Sequence, residues 1–190
     1  MKLKDIRLSF SSLKAFGTSP AHFAHYKTRT FKTSAPMRRG KLTHTLTLEP
    51  HLRDTLKVID CTTRAAKAYK EAAELYGEEE VYTRTEVEKH LYWQLEGVEF
   101  HGFADVIGRD YIADLKVTDN EPRKLQRWVL DNLYHMQLAL YSYAEFNIHT
   151  AVKLYLITID PNAPYGVVVY QLSADFIDDG IQLDLPSWYR

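Results

Sequence analysis

The chain has 190 residues, 45% of them hydrophobic, and a formal net charge of −1. This composition suits one globular domain with a sizeable core and excludes a disordered or low-complexity chain. The lone cysteine, Cys61, excludes an internal disulfide, a zinc–cysteine cluster or an iron–sulfur centre. No apolar run reaches the ~18–20 residues of a membrane span, and the start, MKLKDIRLSF, lacks a signal-peptide core, so a cytoplasmic protein with no membrane partner is expected.

Leu8–Phe16 reads as a short helix with a serine N-cap, ended by Gly17. Thr18-Ser19-Pro20 opens a second helix, with Pro20 in its first turn. Residues 27–36 are polar and basic, a loop, and Pro36–Leu48 reads as a third helix closed by Glu49-Pro50. A short strand is expected over Leu56–Asp60 and an alanine-rich helix over Thr62–Tyr76, stopped by Gly77. Val81–Leu95 is expected to be extended, although its period-2 pattern is not clean. Gly97–Ile107 and Tyr111–Val117 read as an antiparallel pair across the turn Gly108-Arg109-Asp110. A long helical region runs from Glu121-Pro122 to Phe146, with a stripe of Leu133, Met136, Gln137, Leu140, Tyr141 and Ala144. Strands over Ala151–Ile159 and Gly166–Leu172 and a last helix from Ser173 complete the order. Helices, strands, helix, strands imply an α/β domain: a central mixed β-sheet flanked by helices. One domain over 1–190 is expected, with a basic helical part over 1–50 and a sheet-and-helix part over 81–172.

Charge is unevenly placed. Residues 1–48 hold ten Lys and Arg against the single acid Asp5, a net +9, which leaves −10 for the remainder. A basic surface built from the N-terminal third follows, with Arg38, Arg39 and Lys41 on the third helix.

The two strands around Gly108 carry a second anomaly. Their flanks are apolar (Val106, Ile107, Tyr111, Ile112, Ala113, Leu115, Val117), as in a central pair, yet they bear Asp105, Asp114 and Lys116. Residues i and i+2 of a strand share a face, so Asp114 and Lys116 project together. The turn brings Asp105 near Asp114. Two close carboxylates repel unless a cation lies between them, and a hard divalent ion with oxygen ligands, Mg²⁺ or Mn²⁺, resolves this. The Lys116 ammonium would then orient or deprotonate a water, or stabilise charge on a phosphate. An exposed Asp–Lys ion pair would give the same D-x-K pattern while contributing ~0–1 kcal/mol.

Further residues join these in order. Gly40 and His44 form G-x-x-x-H, Gly102 and Asp105 form G-x-x-D, Asp114 and Lys116 form D-x-K, and Gln137 and Tyr141 form Q-x-x-x-Y on one helical face. The set resembles the PD-(D/E)XK nuclease superfamily, in its RecB/RecE-type branch of phage and bacterial exonucleases. Ser11, Ser12, Leu13, Ser19-Pro20 and Arg39-Gly40…His44…Leu48-Glu49-Pro50 resemble the RecE (exonuclease VIII, lambda exonuclease-like) group. The likeness runs from about residue 9 to 144.

The resemblance implies roles. Asp105 and Asp114 would bind the catalytic metal, with the Leu115 carbonyl as a further ligand and His44 as a ligand or close neighbour. Lys116 would position the attacking water. The Gln137/Tyr141 helix would hold the site or the DNA. Which of Glu49, Glu86 and Glu88 completes the site stays open. Ser11, Ser12 and Arg39 would bind a terminal 5′-phosphate, although the serines serve equally as helix caps.

The implied activity is a Mg²⁺-dependent exodeoxyribonuclease, Mn²⁺ substituting, that degrades double-stranded DNA from its ends, 5′→3′. It would leave a 3′ single strand for a single-strand annealing recombinase. The implied assembly is a homo-oligomeric ring, trimeric or tetrameric, in the cytoplasm of a bacterial host, bacterial or phage-encoded. A structure-specific or restriction-type endonuclease of the same superfamily, or a non-catalytic DNA-end-binding module, are the alternatives.

Overall fold

The structure is a computed structural model that describes residues 7–49, 85–95, 97–119, 122–147, 152–162 and 166–173. Strand 56–60, helix 62–76 and the closing helix after Ser173 lie outside these residues. The described elements are α1 (Phe10–Thr18), α2 (Pro20–Thr28), α3 (Ala35–Leu48), β1 (Glu86–Leu95), β2 (Val98–Ile107), β3 (Tyr111–Val117), α4 (Pro122–Asn132), α5 (Tyr134–Phe146), β4 (Lys153–Ile159) and β5 (Val167–Gln171). The strands form one sheet in the order β1-β2-β3-β4-β5. Every neighbouring pair is antiparallel except β3–β4, which is parallel and therefore needs the helical crossover supplied by α4 and α5. The sheet is mixed and helix-flanked, as expected.

Two local expectations are corrected. Gly17 does not end α1: the helix runs through it to Thr18, and the extended backbone of Ser19 closes it while capping α2. A Cβ at Gly17 would meet nothing within 4 Å among the described residues, so this glycine answers no steric demand. The long helix expected to Phe146 is two helices. Leu133 between them is left-handed, φ 59° and ψ 30°, and its N–H turns back to the Leu130 carbonyl at 3.0 Å. No glycine or proline marks that break.

Among the described residues the core has three parts. Leu8, Phe10, Leu13, Phe16 and Phe23 pack on Val98, Phe100 and Leu140, joining α1 and α2 to the β1–β2 end of the sheet. Leu8 bonds alongside β2, donating to the Glu99 carbonyl at 2.9 Å and accepting from the His101 N–H at 2.8 Å. Leu91, Ala104, Ile107, Ile112, Leu138, Tyr141 and Leu154 form the central part, and Leu125, Val129 and Leu156 the part under α4.

Candidate metal centre

The β1–β2 ladder runs from Glu86↔Ile107 to Leu95↔Val98 and skips one position, opposite Asp105, where Glu88 sits. Glu88 is left-handed, φ 49°, an uncommon backbone for a non-glycine residue and one that breaks the strand's alternation. The β2–β3 ladder consists of Val106↔Ala113 and Ile107↔Ile112. Beyond them the strands part, and the Leu115 N–H, which a continuing ladder would pair with backbone, donates instead to Asp105 Oδ2 at 2.6 Å. The site is built in this opening.

Three ligand atoms meet there. His44, projecting from α3, donates from Nε2 to the Leu115 carbonyl at 2.8 Å. Its Nδ1 then lies 3.4 Å from Glu88 Oε1 and 3.6 Å from Asp105 Oδ1. One ligand atom from each of His44, Glu88 and Asp105 falls within 4.8 Å of the other two. With Nε2 carrying a proton, the neutral imidazole turns a lone pair from Nδ1 toward two carboxylates. That arrangement needs either a second proton or a cation. Burial pulls the His44 pKa down, but the Glu88 hydrogen bond and the Asp105 charge outweigh it and leave the value above the ordinary one. Burial, together with the Asp114 charge, pushes the Asp105 carboxyl up to about 7.

Asp114 and Lys116 stand beside this cluster. Asp114 is almost wholly enclosed, at 2% exposure, and is ion-paired with Lys116. Lys116 is the partner that meets its charge, through a direct ammonium–carboxylate contact. Burial lowers the Lys116 pKa, but Asp114 and Asp105 more than offset it, and the ammonium stays charged. Tyr134 places its ring 4.9 Å from Lys116 Nζ, a cation–π contact that the sequence reading missed. Its signal was available: Tyr134 lies one turn before Gln137 on the same helix.

Gln137 donates to the Tyr141 hydroxyl at 3.2 Å, so the Q-x-x-x-Y pair is a bonded unit. Tyr141 is buried, at 5% exposure, and burial pushes its hydroxyl up to about 12, which keeps it protonated. A Cβ at Gly102 would lie 2.5 Å from Tyr141 Cε1. Gly102 is therefore the seat of the Tyr141 ring, and Tyr141 supports the strand beneath the site rather than facing solvent.

The remaining expected residues divide. Arg38, Arg39 and Lys41 are exposed on α3, the helix that carries His44. Ser12 is 1% exposed and committed to α1: its Oγ accepts from the Ser9 N–H at 2.8 Å and donates to the Ser9 carbonyl at 2.8 Å. Ser11 is exposed. Of the three candidate glutamates, Glu49 closes α3, Glu86 is exposed and contacts Lys89 at 3.1 Å, and Glu88 reaches the cluster. The Leu115 carbonyl is occupied by His44.

The donor set suits a hard divalent cation. Two carboxylates and an imidazole nitrogen converge, and burial together with the Asp114 charge pushes one of the carboxyls toward neutrality, which a bound cation would reverse.

A mixed, helix-flanked sheet whose central strands part around Asp105 and an Asp114-x-Lys116 strand is the fold of the PD-(D/E)XK nuclease superfamily. Within that class, the chain belongs to the family described as a PDDEXK-like domain of unknown function (DUF3799), which it matches over residues 9–183. No curated protein matches it. Among solved structures it is similar to one named "Putative exonuclease" from Eubacterium rectale, at 12% identity and a TM-score of 0.68, covering 92% of this chain and 76% of that one. At that identity the likeness is one of fold. A phage related exonuclease from Haemophilus somnus 129PT matches at 11% identity and a TM-score of 0.42, covering 95% of this chain and 92% of that one.

Proposed function

We propose that this protein is a divalent-metal-dependent exodeoxyribonuclease that hydrolyses double-stranded DNA from its ends. The observation that carries the reading is the convergence of His44, Glu88 and Asp105 beside a buried Asp114–Lys116 pair. Mg²⁺ or Mn²⁺ bound there would polarise the scissile phosphate and acidify a water. His44 Nδ1, Glu88 and Asp105 would be its protein ligands, with Asp114 at its margin. The imidazole in the set makes Mn²⁺ at least as suitable as Mg²⁺.

The chain's own groups supply the rest. The Leu115 carbonyl fixes the His44 tautomer and ring, as a hydrogen bond behind a ligand does. Lys116, charged and steadied by Asp114 and Tyr134, would hold a water in line and stabilise charge on the phosphate oxygens. Arg38, Arg39 and Lys41 would neutralise backbone phosphates without reading bases. Gly40 leaves open space on the same helix among the described residues, room for a phosphate backbone to approach.

Resemblance to RecE-type enzymes supports action 5′→3′ on duplex ends, leaving a 3′ strand for an annealing recombinase, and the exonuclease name of the E. rectale structure agrees with end-directed hydrolysis. The charge split, +9 over residues 1–48 against −10 elsewhere, supports a homo-oligomeric ring with the basic segment inward. Digestion of linear and covalently closed duplex in Mg²⁺ or Mn²⁺ tests the reading. Loss of the linear form with the circle spared is expected. Cutting of the circle would mark an endonuclease, and binding without cutting a non-catalytic module.

A further inference from the structure

The β1–β2 hairpin carries a cluster of rings that neither the core nor the metal centre uses. His90 and Phe103 are cross-strand partners with rings stacked 4.1 Å apart at 17°. Tyr92 lies against His90 at 4.0 Å, and its hydroxyl meets His90 Nδ1 at 2.8 Å. His101 meets His90 edge-on at 5.7 Å. The alternate residues Leu91, Phe100 and Gly102 fill the buried side, which leaves Tyr92 57% and Phe103 51% exposed.

The cluster is flanked by cations. The Arg7 guanidinium sits 5.1 Å from the Tyr92 ring centre, and Lys27 Nζ bonds the Arg7 carbonyl at 3.4 Å. Glu99, 3.3 Å from Arg7, tempers that charge, but both partners of this pair are more than half exposed and their attraction is weak. Burial, with the charges of His90, Arg7 and Lys27, holds the His101 pKa below its ordinary value, so its ring is neutral and suited to stacking.

Position supplies the last element. Two residues along β1 from His90 is Glu88, and two along β2 from Phe103 is Asp105. At ~3.4 Å per strand residue, the ring cluster begins ~7 Å from the metal ligands. A duplex hides the faces of its bases; only a separated strand offers them to an aromatic surface, where stacking is tolerant of sequence.

We propose that this ring cluster, with Phe103 as its open stacking face and Arg7 and Lys27 for the phosphates, holds unpaired terminal nucleotides beside the scissile position. The inference rests on the nuclease reading and narrows its substrate to ends whose bases are splayed.

The test is fluorescence anisotropy of the whole chain, with Ca²⁺ replacing the catalytic metal, on three labelled DNAs: a blunt duplex, the same duplex with a non-complementary fork, and that fork made abasic. Wild type should bind the native fork more tightly than the other two. Phe103→Ala should lose about fivefold or more on the native fork, matching at least one stacked base. It should lose little on the blunt duplex and add nothing to the loss already caused by the abasic fork. Phe103→Trp should restore the native-fork affinity, which separates stacking from damage to the fold. Equal losses on fork and blunt end, or an abasic fork bound as tightly as the native one, would overturn the proposal. So would a change of oligomeric state in Phe103→Ala at unchanged fork affinity, which would assign the surface to a contact between copies. Failure of the nuclease reading looks different: wild type would bind none of the three DNAs, or would leave the native fork uncut in Mn²⁺.

Discussion

The two ends of β2 have opposite designs. Around Val98–Gly102 the strand is fully laddered to β1, and Val98 and Phe100 lie under α1 and α5 in apolar packing. Around Asp105 it loses its partner on both sides: the ladder skips Glu88 on one and ends at Val106↔Ala113 on the other. There the buried groups are ionisable, and hydrogen bonds join side chain and backbone: His44 Nε2 donates to the Leu115 carbonyl and the Leu115 N–H donates to Asp105 Oδ2. The first end has the arrangement that stabilises a fold. The second places like charges in a poorly solvated gap, which costs stability unless a counter-ion joins them. One strand thus anchors the domain at one end and is poised for chemistry at the other, and variants at the two ends should have separable effects.

The largest effect is expected at the anchored end. Phe100 is buried and its ring stacks on Trp93 at 5.5 Å, so Phe100→Ala should cost about 3–5 kcal/mol. The melting temperature should fall by roughly 10 °C. Metal affinity of the folded protein, by titration calorimetry, should stay within about twofold; a larger shift would show that the ends are coupled.

At the other end, Asp114→Asn and Lys116→Ala should each lower turnover on linear duplex by at least about 10²–10³-fold, the scale of removing one charge-stabilising group. DNA binding in Ca²⁺ should persist. Near-wild-type turnover from either variant would remove that residue from the chemistry.

His44→Ala should weaken Mn²⁺ binding about 10–100-fold, whether His44 is a ligand or orients one. Calorimetric titration measures it. A core histidine would instead lower the melting temperature and leave metal affinity alone.

A smaller effect appears in chelated protein as pH changes. The Asp105 pKa is raised from 3.8 to about 7, so the folded state holds a proton that the unfolded state has already released. Its contribution is fully present below pH 4 and is lost as pH climbs to about 7, with a slope of at most ~1.4 kcal/mol per pH unit. His44, also raised, adds a loss in the same direction above pH 6.5. Denaturant melts across pH 4–8 should show wild type losing stability relative to Asp105→Asn, and Mn²⁺ should restore it near pH 7. Parallel curves for the two proteins would mean that Asp105 carries no such burden.

Some of this was legible in the residues and some was not, for physical reasons. Asp105, Asp114 and Lys116 stood out because strand alternation is strict and their flanks are apolar. Helical spacing put Gln137 and Tyr141 on one face and the resemblance singled out His44, but the bond between Gln137 and Tyr141 was not expected. The choice among Glu49, Glu86 and Glu88 did not follow, because Glu88 reaches the site by leaving the strand backbone that the pattern assumes. The break at Leu133 was invisible for a similar reason: a leucine took a left-handed conformation that sequence reading reserves for glycine or asparagine. Ser12 could be read as cap or as phosphate contact, and only its burial and its two bonds to Ser9 show how its hydroxyl is engaged.

The bend at Glu88 links the sheet to whatever fills the site. A left-handed non-glycine residue costs ~1–3 kcal/mol, and here it is the residue whose carboxylate meets His44 Nδ1 at 3.4 Å and would gain a cation. Glycine at this position would ease the strain and delete the ligand, so comfort and chemistry exclude one another. An ion drawn to Glu88 would therefore also stiffen the hairpin. Amide exchange at Val87 and Lys89 becomes a gauge of occupancy, readable on resting protein with no substrate present.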